Sequence, residues 1–207
     1  MMKKTKQVEI QIESLKKACE EFELDNTQES YYISYPEFLE HFKNISEFRK
    51  HDVIVGIHLI YGWMPTICHL KSKEFDESAR ILNKVKKNNQ LLKEGDLDTL
   101  KDLFNKSIVG TSKLLHFISP DTYPIWDSKV CNYLGLPANA VNDTSVYLGY
   151  TEACRKIVGE CRSEIDHVKK VMKDYKISDM RAIELVMFTS EKKGGKSQDQ
   201  LVDDSID

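Results

Sequence analysis

The chain has 207 residues, 41% hydrophobic and 30% charged, with a formal net charge of -3. This composition predicts a soluble globular protein with no overall attraction to nucleic acid, although a local basic face would suffice for binding. The longest apolar stretch, residues 53–66, is too short and too polar to span a bilayer, and no secretory signal follows the basic N-terminus. Scattered cysteines, odd in number, indicate reduced thiols and a cytoplasmic protein. They are Cys19, Cys68, Cys131, Cys154 and Cys161.

Apolar residues recur at helical spacing along nearly the whole chain, and strict alternation is rare. Residues 26–34 are predicted as a loop, with Pro36 in the first turn of the helix that follows. Gly95 is predicted to end a long helix, and Asp96 or Asp98 to cap a short one. In this first half we expect helices over residues 5–24, 36–45, 53–63 and 74–92, and a short helix ending at residue 104.

In the second half, a short apolar helix is predicted after Gly110 and another over residues 128–134. Asp143 belongs to a capping sequence, and Ser178 caps a strongly apolar helix. From Glu191 the composition becomes polar, which predicts a disordered tail over residues 191–207. The remaining helices are expected over residues 144–158, 163–175 and 178–190. We therefore predict one all-α domain over residues 1–190, with two helical lobes and nine or ten helices.

The segment Ser107–Gly135 has the most specific pattern in the chain. Gly110 is predicted to form a tight turn that opens the short apolar helix, and a proline-bounded loop follows. Asp127 then stands at the beginning of the helix over residues 128–134. An aspartate in this position is a good N-cap, and its second oxygen can still face a ligand.

The sequence from Tyr123 to Val130, YPIWDSKV, resembles the Phe-Pro-Ile-Leu-Asp-Gly-Asn-Val of adenine-DNA glycosylases. Residues 108–115, IVGTSKLL, match in part the hairpin of the same group of proteins, the helix-hairpin-helix DNA glycosylase superfamily. The resemblance implies binding of duplex DNA with one base turned out of the stack. It also implies that Asp127 stabilises the positive charge that develops on the sugar as the base leaves.

In the hairpin that these residues resemble, turn amides hold a DNA phosphate. The resemblance places Gly110, Thr111 and Ser112 in this role, and Lys129 is a further candidate for phosphate binding. From the residues alone, Gly110 could instead be a C-cap glycine followed by a Thr or Ser N-cap at an ordinary helix junction.

Ser112 and Lys113 together decide the expected mechanism. Ser112 stands where some relatives have a Schiff-base lysine and the adenine-removing relatives have serine. Lys113 is a further catalytic candidate, because a shift of the alignment by one residue would bring it into the role of that lysine. One residue turns a side chain by about 100° on a helix, so without such a shift Lys113 is expected to face away. We therefore expect a monofunctional reaction with water. No cofactor is expected, because only Cys154 and Cys161 match the cysteine spacing of the relatives' iron-sulfur cluster. No histidine spacing indicates a metal site.

Four further residues are candidates for substrate binding. Tyr61, Trp63 and Trp126 could form aromatic walls on which a flipped base stacks, or they could pack in the core. His116 lies four residues after Ser112 on the same helix face. This spacing permits a Ser–His pair, although a partly buried histidine bonded to a backbone carbonyl is the commoner arrangement.

The leading hypothesis is a DNA glycosylase-like hydrolase that removes a damaged or modified base from duplex DNA. Modified bases of foreign DNA, such as phage DNA, are candidate substrates, which would fit a role in phage defence. A monomer without membrane contact is expected. The alternative is a non-catalytic helical module that binds DNA or another protein.

Overall fold

The computed structural model describes residues 5–25, 29–64, 67, 69–70, 73–88 and 90–199, with side chains up to residue 191. Within these residues it contains ten α-helices and no strand, so the all-α prediction is confirmed. The helices are α1 Ile12–Glu20, α2 Glu29–Asn44, α3 Lys50–Trp63, α4 Phe75–Lys87, α5 Glu94–Asp102, α6 Ile108–Ile118, α7 Ser128–Tyr133, α8 Thr144–Glu160, α9 Arg162–Val171 and α10 Asp179–Asp199.

The helices pack in two groups around two central helices. In the first group, α6 contacts α2, α3, α4 and α5, and in the second, α10 contacts α1, α7, α8 and α9. The residues from Arg181 to Met187 are all buried, so α10 is surrounded over two turns. A helix that is covered on every side needs an apolar sequence, which explains the run of aliphatic residues in this element.

The start of α2 differs from the prediction. The helix begins at Glu29, so Pro36 lies inside it rather than in its first turn. A proline in a helix interior costs about 3 kcal/mol, because it removes a hydrogen bond and crowds the preceding turn. Tyr32 and Tyr35, three residues apart on one face, are both buried. Burial of two large aromatic side chains offsets this cost. Residues 26–28 lie outside the described residues.

The N-terminal segment is extended where a helix was predicted. Residues 5–10 are not helical, and α1 begins only at Ile12. Val8 and Ile10 are buried while Glu9 between them is exposed, which is the alternation of an extended chain. The segment lies against α8, where the carbonyl oxygen of Lys6 would be 1.9 Å from a Cβ atom built on Gly149.

Two predicted helix boundaries are also shifted. Gly95 is the second residue of α5 rather than the end of the preceding helix, since α4 already ends at Lys87. At the other end of the chain, α10 continues as helix to Asp199, through most of the predicted tail. Residues 200–207 lie outside the described residues. Among the helices of the described part of the chain, none has both the length and the apolar character needed to cross a membrane.

We expect Gly149→Ala to lower the free energy of unfolding by about 1–3 kcal/mol, the usual cost of overpacking. The added methyl group would displace the backbone at Lys6 from α8. Gly159→Ala is the matched control on the same helix, because a Cβ there meets nothing within 4 Å. Urea denaturation of both variants measures the effect, and equal stability of the two would contradict this packing of the N-terminal segment.

Candidate functional site

A cavity of about 500 Å³ lies where the two groups of helices meet. Residues of α2, α3, α6 and α10 line it, together with the beginning of α7. Its volume is in the range of pockets that bind small molecules and cofactors. The lining residues with chemical interest are Tyr32, Trp63, Lys113, Asp127, Arg181 and Glu184.

Asp127 is the N-cap of α7, as predicted. Its Oδ1 atom accepts hydrogen bonds from the backbone amides of Lys129 at 2.9 Å and Val130 at 3.0 Å. Neither of these bonds uses the Oδ2 atom. The side chain is partly exposed and lines the cavity, so the capping role leaves the carboxylate available to a ligand.

A buried segment without helical structure, residues 123–126, leads into Asp127 and determines where this carboxylate lies. The segment has no neighbouring strand, so its backbone groups need other partners. His116 bonds to the carbonyl oxygen of residue 123 at 2.7 Å, and Tyr147 and Tyr150 donate to those of residues 124 and 125 at 3.2 and 3.3 Å. Ser112 bonds to residue 126. Three successive carbonyl groups are thus satisfied by buried side chains, and Ser112 bonds the backbone amide of the fourth residue.

The orientation predicted for Ser112 and Lys113 is wrong. Ser112 is fully buried, and its Oγ accepts from the Trp126 amide at 3.0 Å. Its single proton is within reach of the carbonyl oxygens of Val109 at 2.9 Å and Trp126 at 3.2 Å. Lys113, in contrast, lines the cavity, with Nζ 5.9 Å from the ring centroid of Trp63. The buried segment packs against the face of α6 that carries Ser112. The following residue, Lys113, therefore faces the cavity.

The electrostatic surroundings of Lys113 lower the pKa of its ammonium group. Burial is the largest cause, because an ammonium ion loses hydration in the cavity. The carboxylates of Asp127 and Glu184 act in the opposite direction and raise the pKa, while Arg181 lowers it. A lysine with a lowered pKa is more often present as the neutral, nucleophilic amine.

Arg181 and Glu184 form a buried ion pair, three residues apart on α10. Their exposed fractions are 7% and 1%. The guanidinium carbon lies 5.6 Å from the ring centroid of Tyr35 and 5.7 Å from that of Trp63. Burial raises the pKa of Glu184 to about 7, although Arg181 opposes this shift. Perturbed carboxyl and amino groups that share one cavity are a common property of functional sites.

Of the three aromatic residues predicted to stack on a base, one lines the cavity and two are buried in the core. Trp63 lines the cavity, with Nε1 bonded to Ser34 at 3.0 Å, but Tyr61 is not among the lining residues. Tyr61 is buried elsewhere in the core and accepts a hydrogen bond from Asn105 at 3.0 Å. Trp126 is also in the core, where its Nε1 donates to the carbonyl oxygen of Val141 at 2.9 Å. The core interpretation therefore holds for Tyr61 and Trp126.

His116 is a structural histidine. The carbonyl oxygen of Tyr123 can only accept, so Nδ1 carries the proton and Nε2 accepts from the hydroxyl of Tyr35 at 2.9 Å. This ring is fully buried, and burial lowers the pKa of His116 to about 3. The Ser–His interpretation is wrong, because Ser112 and His116 each bond to the buried segment instead of to one another.

The predicted phosphate-binding turn is also wrong in its geometry. Gly110 is the third residue of α6, and its amide faces the Oγ atom of the N-cap Ser107 at 3.4 Å. A Cβ atom at Gly110 would lie 2.4 Å from the Phe104 ring, so the glycine permits close packing. Thr111 is fully buried, with its hydroxyl bonded to the carbonyl oxygen of Ser107 at 2.9 Å. Lys129 lies beside the cavity, 4.7 Å from the Phe188 ring centroid.

The turn between α5 and α6 instead uses Asn105 and Lys106. Both have positive φ angles, 54° and 65°, and both are exposed. Asparagine tolerates this conformation better than most residues, because its short polar side chain can bond locally. The turn between these helices therefore lies before α6, and Gly110 is inside the helix rather than in the turn.

The contribution of α10 to the cavity was not predicted from the sequence. Arg181 and Glu184 stand in MRAIELVMF, which is otherwise apolar apart from this pair. Two opposite charges three residues apart on a buried helix are costly to bury unless they are paired. A charged pair in an otherwise apolar helix was the sequence feature that could have indicated a functional role for α10. No group of three or more His, Cys, Asp or Glu side chains suited to a metal ion occurs in the described ranges.

Comparisons of the chain with protein-family models, with curated proteins and with solved structures found no match.

The buried neutral His116 predicts a pH dependence of stability. The unfolded chain binds a proton at this ring below pH 6.5, whereas the folded protein does so only near pH 3. The free energy of unfolding should therefore fall as the pH drops from 6.5 toward 3, by up to about 1.4 kcal/mol per pH unit from this group.

His116→Gln is the comparison variant, because its amide can donate to Tyr123 and accept from Tyr35 without titrating. Urea denaturation between pH 4 and pH 7 should show a shallower pH dependence in the variant. Parallel curves for the two proteins would show that His116 is not buried in the neutral form.

Proposed function

We propose that this protein cleaves the N-glycosidic bond of a damaged or modified nucleotide that is turned out of duplex DNA. The supporting observation is that Lys113 and Asp127 line one cavity beside Trp63. An amine, a carboxylate and an aromatic face are the groups that this reaction uses. The resemblance of residues 123–130 to the glycosylase sequence assigns the same role to Asp127.

In the proposed reaction, the neutral amine of Lys113 attacks C1′ of the nucleotide. The C1′–Nζ bond forms while the bond from C1′ to the base breaks, and the electron pair leaves with the base. The proton released by the attacking nitrogen neutralises the departing base. Asp127 stabilises the positive charge that develops on the sugar. The sugar ring then opens to a Schiff base with Lys113, which water hydrolyses.

The lowered pKa of Lys113 supports an amine nucleophile over the water expected from the sequence. That expectation depended on Ser112 facing the site, and the Ser112 hydroxyl is bonded within the core. Burial disfavours the charged ammonium of Lys113, which increases the fraction present as free amine near neutral pH. Asp127 limits this shift, because its charge favours the ammonium.

Asp127→Asn should lower excision by two or more orders of magnitude while the protein stays folded, because asparagine also caps helices. Asp143→Asn is a matched control. Asp143 caps α8 in the same way, accepting from the amides of Ser145 at 2.9 Å and Val146 at 3.3 Å. It does not line the cavity.

The assay incubates both variants with duplexes that each contain one modified base and quantifies abasic sites in single turnover. Loss of activity in Asp127→Asn alone supports the role of the carboxylate. Equal activity in the two variants would remove Asp127 from catalysis. Absence of abasic sites with the folded wild-type protein on a broad panel would favour the alternative, a non-catalytic module.

Borohydride should trap a covalent adduct between the wild-type protein and DNA, because it reduces a Schiff base to a stable amine. Lys113→Arg keeps the positive charge but cannot act as a nucleophile at neutral pH, so it should give no adduct while still binding the same duplex. Abasic sites without an adduct in the wild-type protein would contradict an amine nucleophile and indicate attack by water.

A further inference from the structure

One polar atom in the cavity lining is buried without a partner. The Tyr32 side chain is 3% exposed, and its hydroxyl group makes no hydrogen bond of ordinary geometry in the described part of the chain, although the backbone at Asp25 lies close enough to lower its pKa. Tyr32 lines the cavity beside Arg181 and Glu184. A buried hydroxyl without a partner is costly, so a hydroxyl left open in a cavity points to a ligand that bonds it.

The charges on α10 act on this hydroxyl from nearby. Burial raises the pKa of Tyr32 to about 12, the positive charge of Arg181 lowers it, and the negative charges of Asp25 and Glu184 raise it. The phenol therefore keeps its proton and can donate a hydrogen bond at neutral pH. These three groups form the buried polar part of the lining, whereas Lys113 and Asp127 are partly exposed.

The ion pair leaves hydrogen-bonding capacity on both of its members. The bond between them joins Nη1 of Arg181 to Oε2 of Glu184. A guanidinium group has five N–H donors, and a carboxylate has two acceptor oxygens. Together with the Tyr32 hydroxyl, the lining can offer two donors and one acceptor to a bound molecule.

We propose that Tyr32, Arg181 and Glu184 form a subsite that selects bases with a carbonyl oxygen next to a ring N–H. A carbonyl oxygen has two lone pairs and can accept from both Tyr32 and Arg181, whereas a ring nitrogen has only one. The adjacent N–H donates to Glu184. The substrate class is therefore the lactam or imide bases, such as hypoxanthine, uracil and oxidised purines, rather than adenine. This assignment rests on the proposed function of the same cavity.

The test uses free bases, so that it does not depend on excision. Hypoxanthine and purine share one ring system, but purine lacks the carbonyl oxygen and the adjacent N–H. The wild-type protein should bind hypoxanthine at least about five-fold more tightly than purine in a calorimetric titration, the usual effect of one or more hydrogen bonds. Adenine should bind more weakly than hypoxanthine. Equal affinities for hypoxanthine and purine, or no binding of either, would overturn the subsite.

Tyr32→Phe should remove most of the preference for hypoxanthine. It should also raise the melting temperature of the free protein, because it deletes a buried hydroxyl without a partner. Tyr133→Phe is the matched control: its hydroxyl is likewise buried and unpartnered, but Tyr133 does not line this cavity. That variant should keep the preference. An unchanged preference in Tyr32→Phe, or a lower melting temperature, would overturn the role of Tyr32.

The two proposals can fail separately. A protein that prefers hypoxanthine through Tyr32 but leaves modified duplexes intact refutes excision and keeps the subsite. A protein that makes abasic sites without any preference between hypoxanthine and purine keeps excision and refutes the subsite.

Discussion

The buried segment 123–126 is the constraint on which the candidate site depends. A non-helical segment inside an all-helical core has no neighbouring strand, so its carbonyl groups must bond to side chains or remain unsatisfied at considerable cost. His116 of α6 and two tyrosines of α8 bond three of these carbonyl groups, and Ser112 of α6 bonds the backbone amide of residue 126. Because Ser112 precedes Lys113 and the segment leads directly into Asp127, the same bonds that satisfy the backbone hold these two side chains against one cavity.

The second group of helices provides the electrostatic character of that cavity. Arg181 and Glu184 are buried on α10, where an unpaired charge would be strongly destabilising. Pairing stabilises them, and desolvation still raises the pKa of Glu184 to about 7 and lowers that of Lys113. A hydrophobic pair of similar size would fold at least as well in many proteins. A charged pair at this position is therefore consistent with a role in binding, for which the Tyr32 hydroxyl, buried in the same lining without a hydrogen bond of ordinary geometry, is further support.

Features set by local hydrogen bonds could be predicted from the sequence, and features set by distant contacts could not. The N-caps at Asp127 and Asp143 were predicted correctly, because a cap depends only on the next three residues. The cap predicted at Asp96 or Asp98 is wrong, because α5 begins earlier, after Lys93. The roles predicted for Ser112 and Gly110 were wrong, since their partners lie in the buried segment or in the preceding turn, whereas the backbone-bonded alternative for His116 is confirmed. Helix periodicity could not show which face of α6 that segment would cover. The cavity role of α10 arises from packing between elements far apart in the chain.

The candidate site depends on charge coupling between Lys113 and Asp127 in one cavity. Nuclear magnetic resonance of isotope-labelled lysine side chains can follow the Lys113 ammonium directly as the pH changes. Lys113 should titrate below the ordinary lysine pKa of 10.5, and lower still in Asp127→Asn, where the carboxylate that favours the ammonium is lost. Titration of Lys113 together with the exposed lysines, unchanged by Asp127→Asn, would contradict charge coupling between these two residues.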